Sequence, residues 1–277
     1  MAPRELKGYL AMIGVLVAWG SSYSISKIAL AFMSPLVLSL FRFLTGAVFF
    51  SAAGKGLLWS RDAVINALLN GALFVVLINI AIELSKNPAF VSILVYTQPI
   101  FVILLSAVVY REPLKPLQIV GAALAFSGLL IAVGASSFDL GDAVAILGAF
   151  IWALGTHFYR RRLLRADLLR LNATMGLVSA AVISPVVVVD LHIEPSLQAL
   201  AWGIGASLIS QIVGFLLWFV GVRELGPVKA SSISILVPVS AFLFAFLLLG
   251  EIPTWSEMAG SAVALLGVML AQLASMI

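Results

Sequence analysis

Ten long apolar runs, separated only by short polar links, fill the chain almost end to end. They cover 8–30, 35–55, 63–84, 88–110, 116–135, 141–160, 169–189, 197–222, 227–249 and 255–275. Each is close to the roughly 20 residues that a helix needs to cross a bilayer. A backbone in hydrocarbon must satisfy its own hydrogen bonds, so only helices and closed barrels can span it. Barrel strands alternate apolar and polar residues, whereas 91–109 and 233–249 are apolar nearly throughout. The expected fold is an all-α integral membrane protein with ten transmembrane helices. Composition agrees. Of 277 residues, 62% are hydrophobic and only 10% charged, against about 25% charged in a soluble domain. Mean hydropathy is +1.16. Disorder is excluded, and a soluble enzyme is disfavoured. The absence of cysteine removes disulfide scaffolds, thiolate zinc sites and iron–sulfur clusters.

The breaks carry helix-start chemistry. Ser34-Pro35, Asn87-Pro88, Pro195-Ser196 and Gly226-Pro227 each place a proline or a small capping residue where a run begins, and Asp139, Asp142 and Asp167 are further candidate caps. Arg4 and Lys7 before an apolar run resemble the start of a signal peptide. That run continues from Tyr9 past Trp19 to Ala31, which is long for such a peptide, so the first segment is expected to be an uncleaved span.

Ten spans put both termini on one side. Thirteen of the sixteen Lys and Arg fall on that side: Arg4, Lys7, Lys55, Arg61, Arg111, Lys115, Arg160, Arg161, Arg162, Arg165, Arg170, Arg223 and Lys229. Only Lys86 lies in a link on the other side, while Lys27 and Arg42 lie inside spans one and two. The positive-inside rule then makes both termini cytoplasmic. The run Arg160–Arg162 needs no nucleic acid to explain it, because it sits in a short link between apolar spans.

The two halves resemble each other. Gly8 and Gly141, like Trp19 and Trp152, stand 133 residues apart. Pro88 and Pro227, Pro99 and Pro238, Glu112 and Glu251, Gly121 and Gly260, and Gly128 and Gly267 all stand 139 apart. Five spans per copy is an odd number, so the second copy enters the membrane upside down. The charges invert with it. The link between spans one and two has no Lys or Arg, while its counterpart between six and seven carries five Arg. The expected organisation is therefore two inverted five-helix repeats, 1–138 and 139–277. Inverted repeats are a transporter device, with the substrate near the midplane between them.

These duplicated residues resemble the EamA-type repeats of the drug/metabolite transporter superfamily. The likeness rests on Trp19-Gly20-Ser21-Ser22-Tyr23 with Lys27 in span one and on Ser34-Pro35 and Phe41-Arg42-Phe43 in span two. It continues with Gln98-Pro99 and Glu112-Pro113, and with Trp152, Pro238 and Gly250-Glu251 in the second copy. Ala153 stands where the repeat usually has glycine, and Arg42 has no clean counterpart. The resemblance implies ten spans, cytoplasmic termini, transport of a small metabolite, and a path lined by spans three, four, eight and nine. Within the superfamily the chain looks most like the YddG-type aromatic amino-acid exporters.

Polar groups inside spans are costly and face the bundle interior or a wet cavity. Ser22, Tyr23, Asn79, Tyr96, Gln98, His157, Gln211 and Ser234 are the candidates, with Trp19, Trp152 and Trp218 as apolar walls. An amide both donates and accepts, so Gln98 and Gln211 suit a zwitterion. The bland alternative for each is interhelical packing. Pro99 and Pro238 fall near the middle of spans four and nine and would kink them, as matched hinges or as static bends. Lys27, Arg42 and Glu83 lie toward the outer mouth, where the cations would attract carboxylates or merely snorkel. Trp59, Trp202 and Trp255 suit the interfacial girdle.

Absences narrow the function. No Asp or Glu occupies a span centre, which disfavours a proton-coupled multidrug antiporter. No basic cluster stands at the midplane for a phosphorylated substrate. His157 is the one intramembrane group suited to proton coupling. No phosphate loop, complete GxGxxG or HExxH occurs, so no cofactor, metal or catalytic residue is expected. The leading expectation is a monomeric, multi-pass plasma-membrane exporter of amino acids, aromatic ones preferred, working by alternating access. The alternatives are a carrier of another neutral metabolite or drug, a lipid-modifying enzyme built on Asp190, His192 and Glu194, or a scaffold.

Overall fold

The computed structural model describes residues 3–84, 94–109, 111, 113, 115–133, 139–250, 252 and 254–274. The side chains at 3, 79, 82, 83, 132, 133, 257 and 272–274 fall outside that description, as do the expected start signal Asn87-Pro88 and the matched residues Glu112 and Glu251. Among the described residues the chain is helical, with one isolated bridge, Met33 to Ile193.

The helices are α1 (Pro3–Ala29), α2 (Pro35–Ala53), α3 (Arg61–Ala67), α4 (Leu73–Leu84), α5 (Gln98–Val108), α6 (Pro116–Val133), α7 (Leu140–Arg162), α8 (Leu168–Ile183), α9 (Leu197–Ala206), α10 (Phe215–Leu225), α11 (Pro227–Ser234), α12 (Val237–Leu249) and α13 (Trp255–Ala274). π-Helical turns, Leu68–Ala72 and Ser207–Gly214, join α3 to α4 and α9 to α10. Six apolar segments are long enough to cross a membrane, and four shorter ones, in α5, α6, α8 and α13, stand where the remaining spans were expected. The protein is all-α and membrane-embedded.

Local chemistry sets many of the ends. Asp139 and Asp142 cap α7 reciprocally, side chain to backbone in both directions. Asp167 accepts from the N–H groups of Leu169 and Arg170, and Ser196 from Ala199. Ser34 precedes α2 but makes no cap bond. Its hydroxyl donates instead to the carbonyl of Asp190, across the bundle. The seventh span ends at Ile183 rather than 189, because Ser184-Pro185 stops the helix. A short 3₁₀ turn, Val187–Asp190, follows.

Pro99 and Pro238 interrupt their spans as expected. Each is the second residue of its helix, just after a turn at Tyr96-Thr97 or Ile235-Leu236. The ring has no N–H to give to the carbonyl four residues back, so the straight helix breaks there. The two π turns are likewise matched: 207 − 68 is 139, the spacing of the prolines.

The elements pack in matched pairs. α6 lies along α13, α2 along α8, α4 against α7 and α1 against α10, with α12 on α1 and α5 on α7. At one end Lys7 pairs with Glu224 (3.6 Å), Lys229 with Glu5 (3.5 Å) and Arg162 with Asp62 (3.5 Å). There Arg170 also donates to the Gly54 carbonyl (2.9 Å) and Arg223 to that of Ala166 (2.6 Å). These contacts gather the charges expected on one side at one end of the bundle. At the other end the first link is stitched to the seventh: Ser34 N–H donates to His192 O (2.9 Å) and Glu194 N–H to Phe32 O (2.7 Å).

α6 and α13 approach through small residues. A Cβ added to Gly128 would lie 2.5 Å from the Gly260 carbonyl oxygen and 2.9 Å from Ala264 Cα. Such contacts replace the hydrophobic drive that lipid removes. Gly128→Leu is therefore expected to destabilise the protein by about 1–3 kcal/mol, read as a lowered unfolding temperature in detergent. An unchanged temperature would show that the helices do not meet there.

Candidate functional site

Three indole rings meet inside the bundle. Trp19 on α1, Trp152 on α7 and Trp218 on α10 have ring centroids 5.7 Å (Trp19–Trp152), 5.6 Å (Trp19–Trp218) and 5.2 Å (Trp152–Trp218) apart. Phe215 closes on Trp19 at 5.5 Å, Phe74 on Trp152 at 5.1 Å and Tyr96 on Trp152 at 6.3 Å. Edge-to-face and tilted ring pairs at these distances add to the stability gained by burial. All three indoles are buried. Trp59 and Trp255 are 67% and 84% exposed, which fits the girdle positions expected of them.

The backbone makes room for the cluster. Gly214, in the second π turn, lies so close to the Trp19 indole that a Cβ would overlap it. The Trp19 Nε1–H donates to Ser210 O in the same turn (3.1 Å). The Nε1 atoms of Trp152 and Trp218 are buried and have no hydrogen-bond partner among the described residues. A buried polar atom without a partner calls for an explanation. These two donors flank the aromatic floor.

Tyr23 stands one helical turn beyond Trp19 on α1. Tyr23 leaves 43% of its surface open. Arg42 is half-buried and Lys27 is exposed.

The amides sit deeper. Gln98 Nε2–H donates to Thr156 Oγ1 (3.2 Å), while its Oε1 is buried without a partner among the described residues. Gln211, in the second π turn, packs over Gly46, whose Cβ would lie 2.8 Å from Gln211 Cγ; its Nε2 is likewise unpaired. His157 is held through Nε2, 3.0 Å from Val102 O and 3.5 Å from Ser106 Oγ. Ser234 donates to Ser231 O within its own helix (2.7 Å). The side chains of Asn79 and Glu83 lie outside the described residues.

The structure brings Trp19, Trp152, Trp218 and Tyr96 together as one connected set of rings. His157 and Ser234 are tied to carbonyls. Phe74 and Phe215 complete the floor but look like any apolar residue in the chain. Asn66 and Asn70 on the third span were also overlooked. They are joined by an Nδ2–H to Oδ1 bond of 2.8 Å, and each keeps one buried atom unpaired. Two amides four apart inside an apolar run were the available signal. Asp190, His192 and Glu194 all lie exposed on the surface link.

Trp152→Ala is expected to cost about 3–5 kcal/mol, whereas Trp255→Ala should fall within about 0.5 kcal/mol of the parent. Thermal unfolding of both variants checks this, and equal stabilities would remove the triad from the core.

The pattern that defines the EamA-like transporter family matches residues 6–134 and again 139–273. The chain is 28% identical to a "Probable amino-acid metabolite efflux pump" of Salmonella typhimurium, over 94% of this chain and 92% of that one. It is 27% identical to the protein of the same description in Escherichia coli, over 94% and 92%. A "Probable terminal-alkyne amino-acid exporter" of Streptantibioticus cattleyicolor is 26% identical, over 95% and 93%. A solved crystal structure superposes with a TM-score of 0.81 over 96% of each chain at 21% identity, a likeness of fold.

Proposed function

The chain belongs to the EamA-like transporter family, and on that premise we propose that it exports amino acids, with aromatic side chains preferred, by alternating access. The observation that carries the substrate class is the triad Trp19–Trp152–Trp218 with unpaired polar atoms around it. A flat ring stacks on such a floor. The free Nε1–H groups and the amides of Gln98 and Gln211 serve the polar end of the molecule. The relatives described as amino-acid efflux pumps and exporters support the same reading.

The two halves, 1–138 and 139–277, act as inverted repeats, and the chain works as a monomer in the plasma membrane with both termini in the cytoplasm. Matched π turns and matched proline breaks support the repeat organisation, and the clustering of basic residues at one end supports the placing of both termini on one side. Pro99 and Pro238 serve as hinges. Each break frees a helix half to tilt without rupturing a continuous hydrogen-bond ladder. His157 is held by a carbonyl, and no carboxylate is found at a span centre in the sequence. Transport accordingly runs down the substrate gradient without proton coupling, and no step of it is catalytic.

Proteoliposomes containing only this protein provide the test. Labelled tryptophan and phenylalanine are expected to enter faster than threonine. A sugar and a lipophilic cation should not enter above the level of empty vesicles, and a pH gradient should change nothing. Absence of amino-acid flux would refute the proposal; flux of the cation driven by the pH gradient would establish the multidrug alternative. Pro238→Ala is expected to lower maximal flux while leaving the half-saturating concentration unchanged. A rise in that concentration instead would assign Pro238 to binding rather than to motion.

A further inference from the structure

At the proline break of span four, the orientation of a buried amide is dictated by its neighbour. Gln98 opens α5 directly before Pro99, and both Gln98 and Thr156 on α7 are fully buried. The Thr156 hydroxyl donates its proton to the Trp152 carbonyl one turn back (2.9 Å), a familiar bond for threonine inside a helix. With that proton spent, the Thr156 oxygen can only accept. The amide group facing it at 3.2 Å is therefore the Nε2–H of Gln98. Gln98 Oε1 faces away from Thr156 and meets no donor among the described residues. A buried acceptor in that state calls for a partner.

The amide stands beside the aromatic floor. Tyr96, two residues before Gln98, packs on the Trp152 ring at 6.3 Å, and Gln98 is held one turn further along the same helix, at Thr156. The unpartnered atoms of the floor itself, Nε1 of Trp152 and of Trp218, only donate. They suit a carboxylate and repel an ammonium group. Gln98 Oε1 only accepts and suits the opposite charge. No carboxylate stands at a span centre in the sequence to receive a cation instead.

We propose that Gln98 Oε1 receives the substrate ammonium group, and that Thr156 is a positioning residue that keeps this acceptor presented. This rests on the amino-acid reading above and deepens it: the site selects amino acids and amines over the corresponding deaminated acids. An unrestrained amide could turn either end to the substrate, and its Nε2–H end would repel an ammonium group. The Thr156 oxygen removes that choice by holding Nε2. A hydrogen bond from a charged donor is stronger than one between neutral groups, so a cationic nitrogen gains more at Oε1 than a hydroxyl would. The proline break places this amide where the span changes direction, so the acceptor lies at the point where the helix can bend.

The test compares ligands on the intact protein first. Ligand-induced thermal stabilisation is measured with phenylalanine, phenethylamine and 3-phenylpropionate. Phenylalanine and phenethylamine are expected to act at concentrations at least about tenfold below that of 3-phenylpropionate, which lacks the ammonium group. Equal effective concentrations for phenylalanine and 3-phenylpropionate, or no stabilisation by any of the three, would overturn the proposal without any variant. Gln98→Leu should abolish the preference for the amine-bearing ligands. Thr156→Val, of the same shape but with no oxygen to hold the amide, should bring the ratio towards one, and Thr156→Ser should restore it. A preference that persists in Gln98→Leu would overturn the anchor, and one unchanged in Thr156→Val would overturn the positioning role. The export reading fails separately. If phenethylamine binds through Gln98 but neither tryptophan nor phenylalanine is transported, the anchor stands and the amino-acid assignment falls. If phenylalanine is transported but binds no better than 3-phenylpropionate, the assignment stands and the anchor falls.

Discussion

The contact among Trp19, Trp152 and Trp218 is what the interior is built around. The rings come from three helices that are distant in sequence, and two of them, Trp19 and Trp152, sit at equivalent places in the two halves. Flat rings at edge-to-face and tilted angles fill space without knitting together as branched aliphatic chains do. They leave indole N–H groups pointing into the interior, where lipid cannot reach them and water is scarce. One of these is met by a π-turn carbonyl; the others are not met by any described residue. Neighbouring glycines make the arrangement possible by letting ring and amide approach backbone closely, as Gly214 does for Trp19 and Gly46 for Gln211.

Around this contact, the helices that change direction are the ones expected to move. A membrane helix holds nearly all of its hydrogen bonds internally, so bending it costs energy unless bonds are already missing. Proline removes one, and a π turn rearranges several. The protein carries both devices in duplicate, with the same 139-residue spacing between copies. The remaining spans are uninterrupted and packed in close pairs, α6 on α13 through glycine and α2 on α8. The bundle thus combines close-packed helix pairs with interrupted helices. Ion pairs at one end and backbone pairing between two links at the other tie the frame together. The exposed ion pairs contribute little individually.

Much of the fold was legible because lipid imposes simple rules. Apolar length located the spans, and Asp139, Asp167 and Ser196 marked helix starts as capping chemistry requires. The proline breaks were also readable, since the missing N–H acts locally. What was hidden depended on neighbours distant in sequence. Ser34 looked like a cap but spends its hydroxyl on Asp190. The π turns leave no composition signal, because they record a register compromise between tertiary contacts. Phe74 and Phe215 are ordinary apolar residues until the fold sets them beside indoles. Residue type marked the three tryptophans that meet inside the bundle, but not that His157 and Ser234 are tied to carbonyls.

The central claim is that the substrate rests on the three buried indoles. It is tested most directly by their own emission. A variant in which Trp59, Trp202 and Trp255 are replaced by Phe keeps only Trp19, Trp152 and Trp218 as reporters. Titration with phenylalanine, which does not emit in that range, is expected to change the emission of this variant saturably, and threonine to change it only at much higher concentration. An emission that stays constant while the same variant still transports phenylalanine would place the substrate elsewhere and contradict the account.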